Sequence, residues 1–231
     1  MRIGVIVAMD KEFEQLRQLL DDVREFNDDG QEMIRGHMEC HEVVLMRSGI
    51  GKVNSALGAS EMIRVCQPDL VVSTGVAGGA DVNLRVGDVV VSTECVYHDV
   101  YCGSECALGQ VLGMPASFPS SKELVGKALS LNERSGEGAR VRDGQIVTGD
   151  WFVDSPEKMR AILMSFPHAM AVDMESCSIA QTCHLRHVPF VSFRVISDIP
   201  LKDEKAAQYY DFWDRLANGS FNVTRQFLQS L

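Results

Sequence analysis

Short apolar runs and amphipathic stretches alternate along this chain. Arg2 to Ala8 is almost continuously apolar and rich in β-branched residues, which predicts a strand buried on both faces. Met9-Asp10 ends it. Lys11 to Leu20 then sets Phe13, Leu16 and Leu20 on one face, which predicts a helix with Glu12 in its first turn. Asp21 to Gly36 is polar and rich in Gly, Asn and Asp, and is expected to be a loop carrying a hairpin. Glu42 to Met46 predicts a further strand. It leads into Ser48-Gly49-Ile50-Gly51, a tight turn, and a helix with Val53, Ala56, Ala59, Ile63 and Cys66 on one face that Pro68 stops.

The alternation continues. Asp69 to Ser73 and Val86 to Ser92 read as strands, and Glu94 to Tyr101 stays extended. Gly103 to Ser121 is a long Gly/Pro-containing loop with Leu108, Val111, Leu112, Met114 and Phe118; loops of this length are usually functional or form an interface. Lys122 to Leu131 reads as a helix, Gly138 to Val147 as a strand and Pro156 to Phe166 as an amphipathic helix. Ala171 to Pro200 reads as strand, helix, strand, with a helix free of charge from Ser176 to Cys183. Lys202 to Leu231 is expected to be helical, with a polar first part, Asp203 to Tyr210, that can move. With no linker and no internal repeat, residues 1–231 are expected to form one α/β domain: a central mixed β-sheet flanked by helices.

Charge and cysteine usage narrow the class. The net charge of −10 disfavours nonspecific binding to nucleic acid or anionic membranes. No apolar run is long enough to span a membrane, and the N-terminal apolar run is too short for a signal peptide, so the cytoplasm is the default location. An odd count of 7 Cys, scattered through apolar segments, fits reduced and mostly buried thiols. The Asn-x-Ser/Thr matches at Asn218 and Asn222 then carry no glycan.

Candidate chemistry clusters at strand ends. Charges there are costly unless paired or used, which singles out Glu175 and Asp198 as a possible active-site pair, with Asp173 beside them. Glycines 75, 78 and 79 follow a strand and let a ligand approach the backbone, or serve a packing bend. Trp151-Phe152-Val153 is an aromatic patch suited to stacking on a planar ligand or to a core. Gly49 to Lys52 is neither a P-loop, because Val53 follows Lys52, nor a dinucleotide fingerprint, because Asn54 stands at the third glycine. His98, Cys102 and Cys106 recur at even spacing but lack the helix or the paired cysteines that support metal ligation.

The motifs IGVIVAMDKE (3–12), SGIGKVNSALGA (48–59), TGVAGG (74–79), VGDVVVS (86–92), VTGDWFV (147–153), VDMES (172–176) and RVISD (194–198) follow in order along nearly the whole chain. Together they resemble the 5′-methylthioadenosine/S-adenosylhomocysteine nucleosidases of the purine nucleoside phosphorylase-like superfamily. The resemblance implies a nucleoside phosphorylase-like fold and hydrolysis of the N-glycosidic bond of adenine thionucleosides. It implies that Asp198, next to Ser197, protonates adenine N7 and so must hold a proton beforehand. It implies that Glu12 positions the attacking water and that Glu175 grips the ribose hydroxyls beside Met174, oriented by Arg194. Phe152 would stack on adenine and the Val153 backbone would read its edge, with Ala77 and Gly78 close to the substrate. Ile50, Met9 and Met174 would line the alkylthio pocket. No metal or cofactor is implied. The partner implied is a second copy, with loop 102–118 near its neighbour's site. Tyr210 is the candidate aromatic lid. Many members carry Ser where this chain has Val76, which bears on how the water is held. Phosphorolysis, a futalosine-type specificity and nucleoside binding without catalysis are the alternatives.

Overall fold

The computed structural model describes residues 1–28, 31–133, 140–202, 207–216 and 221–231. The strands are β1 (Arg2–Val7), β2 (Asp21–Asp28), β3 (Gln31–Met38), β4 (His41–Arg47), β5 (Leu70–Gly79), β6 (Val89–Tyr97), β7 (Phe118–Pro119), β8 (Val141–Thr148), β9 (Ala169–Asp173) and β10 (Phe190–Asp198). The helices are α1 (Asp10–Arg17), α2 (Lys52–Cys66), α3 (Lys122–Ser130), α4 (Pro156–Ser165), α5 (Ser176–Arg186), α6 (Ala207–Asp211) and α7 (Asn222–Gln229).

All the strands join one mixed sheet. β5 pairs in parallel with β1 and β10, β10 pairs antiparallel with β6, and β6–β8–β9 returns antiparallel to β5, closing a five-strand ring. β1, β4, β3 and β2 extend outward from β5. Alternation along β1 explains the layering. Ile3, Val5 and Val7 belong to a core that includes Phe13 and Leu16 of α1 and Phe227 of α7, while Ile6 belongs to a second core with Met62 of α2 and Ile179 of α5. Six segments, β1, β4, β5, β8, β9 and β10, bring their carboxyl ends to one region, where ligands bind in α/β sheets.

The strand–helix–strand reading of Ala171 to Pro200 matches β9, α5 and β10. Two expectations are corrected. Asp21 to Gly36 holds the expected hairpin but is not mainly loop: β2 and β3 pair antiparallel and continue the sheet, because Met33 and Ile34 are fully buried among their acidic neighbours. The buried face of α2 is Ser55, Gly58, Ala59, Met62 and Cys66, and Val53 is 70% exposed. Small residues face inward because α2 packs close on α5, where Ser55 Oγ meets Ser178 Oγ at 2.6 Å. The tail is helical where it is described, as α6, a π-helical turn at Phe212–Leu216, and α7; residues 203–206 and 217–220 of it, with Asn218, lie outside the described residues. The expected strand start at Gly138 lies outside them as well.

Candidate active site

Glu12 sits in the first turn of α1, and its carboxylate folds back onto the backbone. Oε2 accepts from the N–H of Ala8 and of Met9, both at 3.0 Å, and Oε1 accepts from Val76 N at 2.9 Å. Three amides thus hold a side chain that is 1% exposed. Burial pushes its pKa up, opposed by Arg194 and by the three N–H donors. The Val76 contact is made by the backbone, so the side chain at this position is not what holds Glu12. The chain must pass between Glu12 and Arg194 at Gly75, whose φ is +145°.

Arg194 is the buried cation around which the acids gather. It lies 1% exposed on β10, with Nε 2.8 Å from Asp173 Oδ2 and Nη2 3.7 Å from Glu175 Oε2. Nη2 also donates to Ser73 Oγ at 2.9 Å and Nη1 to the Thr74 carbonyl at 3.3 Å. Burial opposes its charge, but Asp173, Glu175 and Glu12 outweigh that and hold its pKa above the ordinary value. Asp173 is occupied structurally: it accepts from Thr148 Oγ1 at 2.6 Å and from the Ser176 N–H and hydroxyl, besides pairing with Arg194.

Glu175 stands at the amino end of α5, and its Oε1 accepts from Gly51 N at 2.9 Å, the amide that opens α2. Burial raises its pKa to about 7, Arg194 pulling it down and Asp173 pushing it up. Asp198 ends β10, where the pairing with β5 slips one residue between Ile196 and Asp198. Such bulges re-aim side chains beside active sites. Ser197 Oγ lies 2.6 Å from Asp198 Oδ1, and Asp198 is 6% exposed.

These groups share one cavity of about 630 Å³, open mouth included. Met9, Glu12, Ile50, Ala77, Gly78, Phe152, Val153, Met174, Glu175, Ser197 and Asp198 all line it. Arg194 does not; it lies behind Glu175. Tyr210 is not part of the wall and is 61% exposed. The neighbouring Tyr209 takes that place instead, with its ring edge-on to Phe152 at 5.3 Å and its hydroxyl 3.8 Å from Met9 Sδ. The one-residue difference follows from α6, which turns adjacent residues to different sides. Trp151 also lines the cavity, edge-on to His98 at 5.3 Å. Among the described residues, no group of three or more His, Cys, Asp or Glu is placed to hold a metal ion. The sequence reading missed a polar cluster of Lys52, Asp99 and Asp150 beside this cavity, because its members lie far apart in the chain.

The model of the Phosphorylase superfamily matches residues 2–229. A 5′-methylthioadenosine/S-adenosylhomocysteine nucleosidase of Bacillus cytotoxicus is 40% identical over 100% of both chains. The crystal structure of the nucleosidase of that name from Neisseria meningitidis, in complex with methylthio-immucillin-A, superposes with a TM-score of 0.92 at 38% identity, covering 100% of this chain and 99% of the other. The Colwellia psychrerythraea nucleosidase, in complex with adenine, gives a TM-score of 0.92 at 35% identity, covering 100% of this chain and 96% of the other. With its whole length matched in both sequence and fold, this chain belongs to the 5′-methylthioadenosine/S-adenosylhomocysteine nucleosidase family of the phosphorylase superfamily.

Proposed function

We propose that the cavity hydrolyses the N-glycosidic bond of 5′-methylthioadenosine and S-adenosylhomocysteine, releasing adenine and the 5-thioribose product. The observation that carries this reading is the set of three buried carboxylates, Glu12, Glu175 and Asp198, each held differently in one cavity with an aromatic wall. Adenine leaves poorly as an anion. Asp198, with one oxygen on the Ser197 hydroxyl, gives its proton to N7 as the bond breaks. Positive charge then builds on the ribosyl ring. Glu175, anchored by Gly51 N and Arg194, binds the ribose hydroxyls and stabilises that charge. Glu12 holds a water on the far side of the sugar and takes its proton. Three backbone amides fix its direction, and burial raises its basicity. A water placed between carboxylates across a breaking glycosidic bond is the logic of inverting hydrolases.

Phe152 and Tyr209 frame the slot for the planar base, and the Val153 backbone reads the adenine edge. Met9, Ile50 and Met174 form a soft wall for the 5′-alkylthio group. Water is favoured over phosphate as nucleophile by the lining: among the described residues it includes no Lys or Arg, and the nearby Arg194 is already paired with Asp173 and Glu175. A dianion needs several free donors of positive charge.

In the same reading the enzyme works as a homodimer in the cytoplasm, in methionine salvage, with loop 102–118 over the partner's site. The dimer is supported by uncovered apolar side chains: Val53, Leu57 and Leu112 are 70%, 60% and 68% exposed. No helix among the described residues is long and apolar enough to cross a membrane. The test is adenine release from a panel of 5′-substituted adenosines, with inosine and futalosine as controls. Turnover of futalosine in preference to the thioadenosines refutes the specificity.

A further inference from the structure

We propose that Lys52 is a positioning residue for Glu175: its ammonium, clamped between Asp99 and Asp150, fixes the amino end of α2 so that the Gly51 N–H stays on the Glu175 carboxylate. This rests on the reading of Glu175 as the sugar-binding carboxylate. Lys52 is the first residue of α2, where a cation opposes the helix dipole. A lysine there is unfavourable unless something compensates it, and two acids do. Its Nζ lies 2.7 Å from Asp99 Oδ2 and 3.7 Å from Asp150 Oδ2, with side-chain exposures of 23%, 10% and 48% for Lys52, Asp99 and Asp150. Asp150 closes the arrangement twice: its Oδ1 accepts from Lys52 N at 2.9 Å, and its own N–H donates to Asp99 Oδ2 at 2.9 Å.

The clamp joins two segments that reach the cavity to a third that packs against its wall. Asp99 follows β6 directly after His98, whose ring packs on Trp151. Asp150 precedes Trp151 and Phe152, and Lys52 follows Ile50 and Gly51. Gly51 is the hinge of this contact. Its φ is +94°, and its N–H is the backbone donor that holds Glu175 Oε1. That amide and the clamped one, of Lys52, are consecutive in the chain.

The readout is the acid limb of kcat/KM. Glu175 faces Arg194 on β10, Asp173 on β9, Glu12 on α1 and the Gly51 amide of α2. The first and last favour its ionised form, and the two carboxylates oppose it. Freeing the amino end of α2 weakens the contact of the Gly51 amide with the ionised carboxylate, and this raises the pKa of Glu175. Lys52→Met therefore moves the acid limb upward by about 0.5–1 pH unit, roughly a three- to tenfold loss of kcat/KM on that limb. Lys52→Arg returns it, and the alkaline limb stays in place. Arg186→Ala is the control for general loosening of α2, because Arg186 Nη2 ties α5 to Ser60 Oγ at the helix middle; it leaves the limb where it is. If Lys52→Met does not fold, Asp150→Ala, at a half-exposed side chain, carries the same expectation. A folded Lys52→Met or Asp150→Ala enzyme with an unmoved acid limb, or an equal shift in Arg186→Ala, overturns the positioning role. A wild-type chain that releases no adenine overturns the reading of the cavity itself and this inference with it.

Discussion

Gly75→Ala tests the geometry around Glu12 with a single methyl group. A Cβ at Gly75 falls 2.6 Å from Glu12 Oε1, 3.0 Å from Glu12 Cδ and 2.7 Å from Arg194 Nη1. To restore an ordinary 3.4 Å contact the carboxylate has to retreat by about 0.8 Å. A shift of that size stretches the 2.9 Å bond from Val76 N toward the limit of hydrogen bonding. The backbone adds strain, since φ at this residue is +145°. A non-glycine residue in such a conformation costs about 1–3 kcal/mol, and a weakened hydrogen bond to a charged group up to about 1.5–3 kcal/mol more. Part of this is recovered by relaxation, so the expected loss of stability is about 2–4 kcal/mol. Activity should suffer more than stability, because a misplacement of about 1 Å in a catalytic group costs about 10²-fold. Steady-state adenine release and urea denaturation of the same preparation measure the two effects. A Gly75→Ala enzyme that stays folded with kcat within about threefold of wild type refutes the claim that the Glu12 position is critical.

The remaining predictions concern the three carboxylates. Asp198→Asn removes the proton donor and should lower kcat by about 10²–10⁴-fold while Tm changes little; near-normal turnover excludes Asp198 as the acid. Glu12→Gln should lose turnover comparably yet keep affinity for a substrate analogue, which calorimetry checks. Glu175 also makes a prediction about stability. Its folded pKa is about 7 against an ordinary 4.5, so between those values the folded chain keeps a proton that the unfolded chain has released. Stability therefore falls as pH rises through this window. Glu175→Gln should be more stable than wild type at pH 8 by about 1–3 kcal/mol, with the gain vanishing near pH 4.5. A pH-independent difference in Tm would sink this account of Glu175.

The parts of the molecule that follow local rules were legible in the sequence. Buried strands such as Arg2–Val7 and Phe190–Asp198 announce themselves as apolar runs, and the acids at strand ends singled out Glu175 and Asp198, while Glu12 joined them only through the family resemblance. What stayed hidden depends on contacts across long separations. Val53 looked like core on periodicity, yet α2 buries its small residues, a choice made by α5 more than 100 residues later. β2 and β3 look polar because few of their residues are apolar, yet Met33 and Ile34 are buried on opposite faces of the sheet and each joins a different core. Tyr209 and Tyr210 are indistinguishable by type, and only the orientation of α6 selects Tyr209. The Lys52–Asp99–Asp150 clamp draws on three segments, none of which carries a local signature of it.

The claim that this cavity activates water to break a thionucleoside is tested most directly by the initial rate of adenine release from 5′-methylthioadenosine, with and without millimolar phosphate. The account predicts the same rate in both and free 5-methylthioribose as the product. Adenine release that requires phosphate, with a ribose 1-phosphate as product, would contradict it.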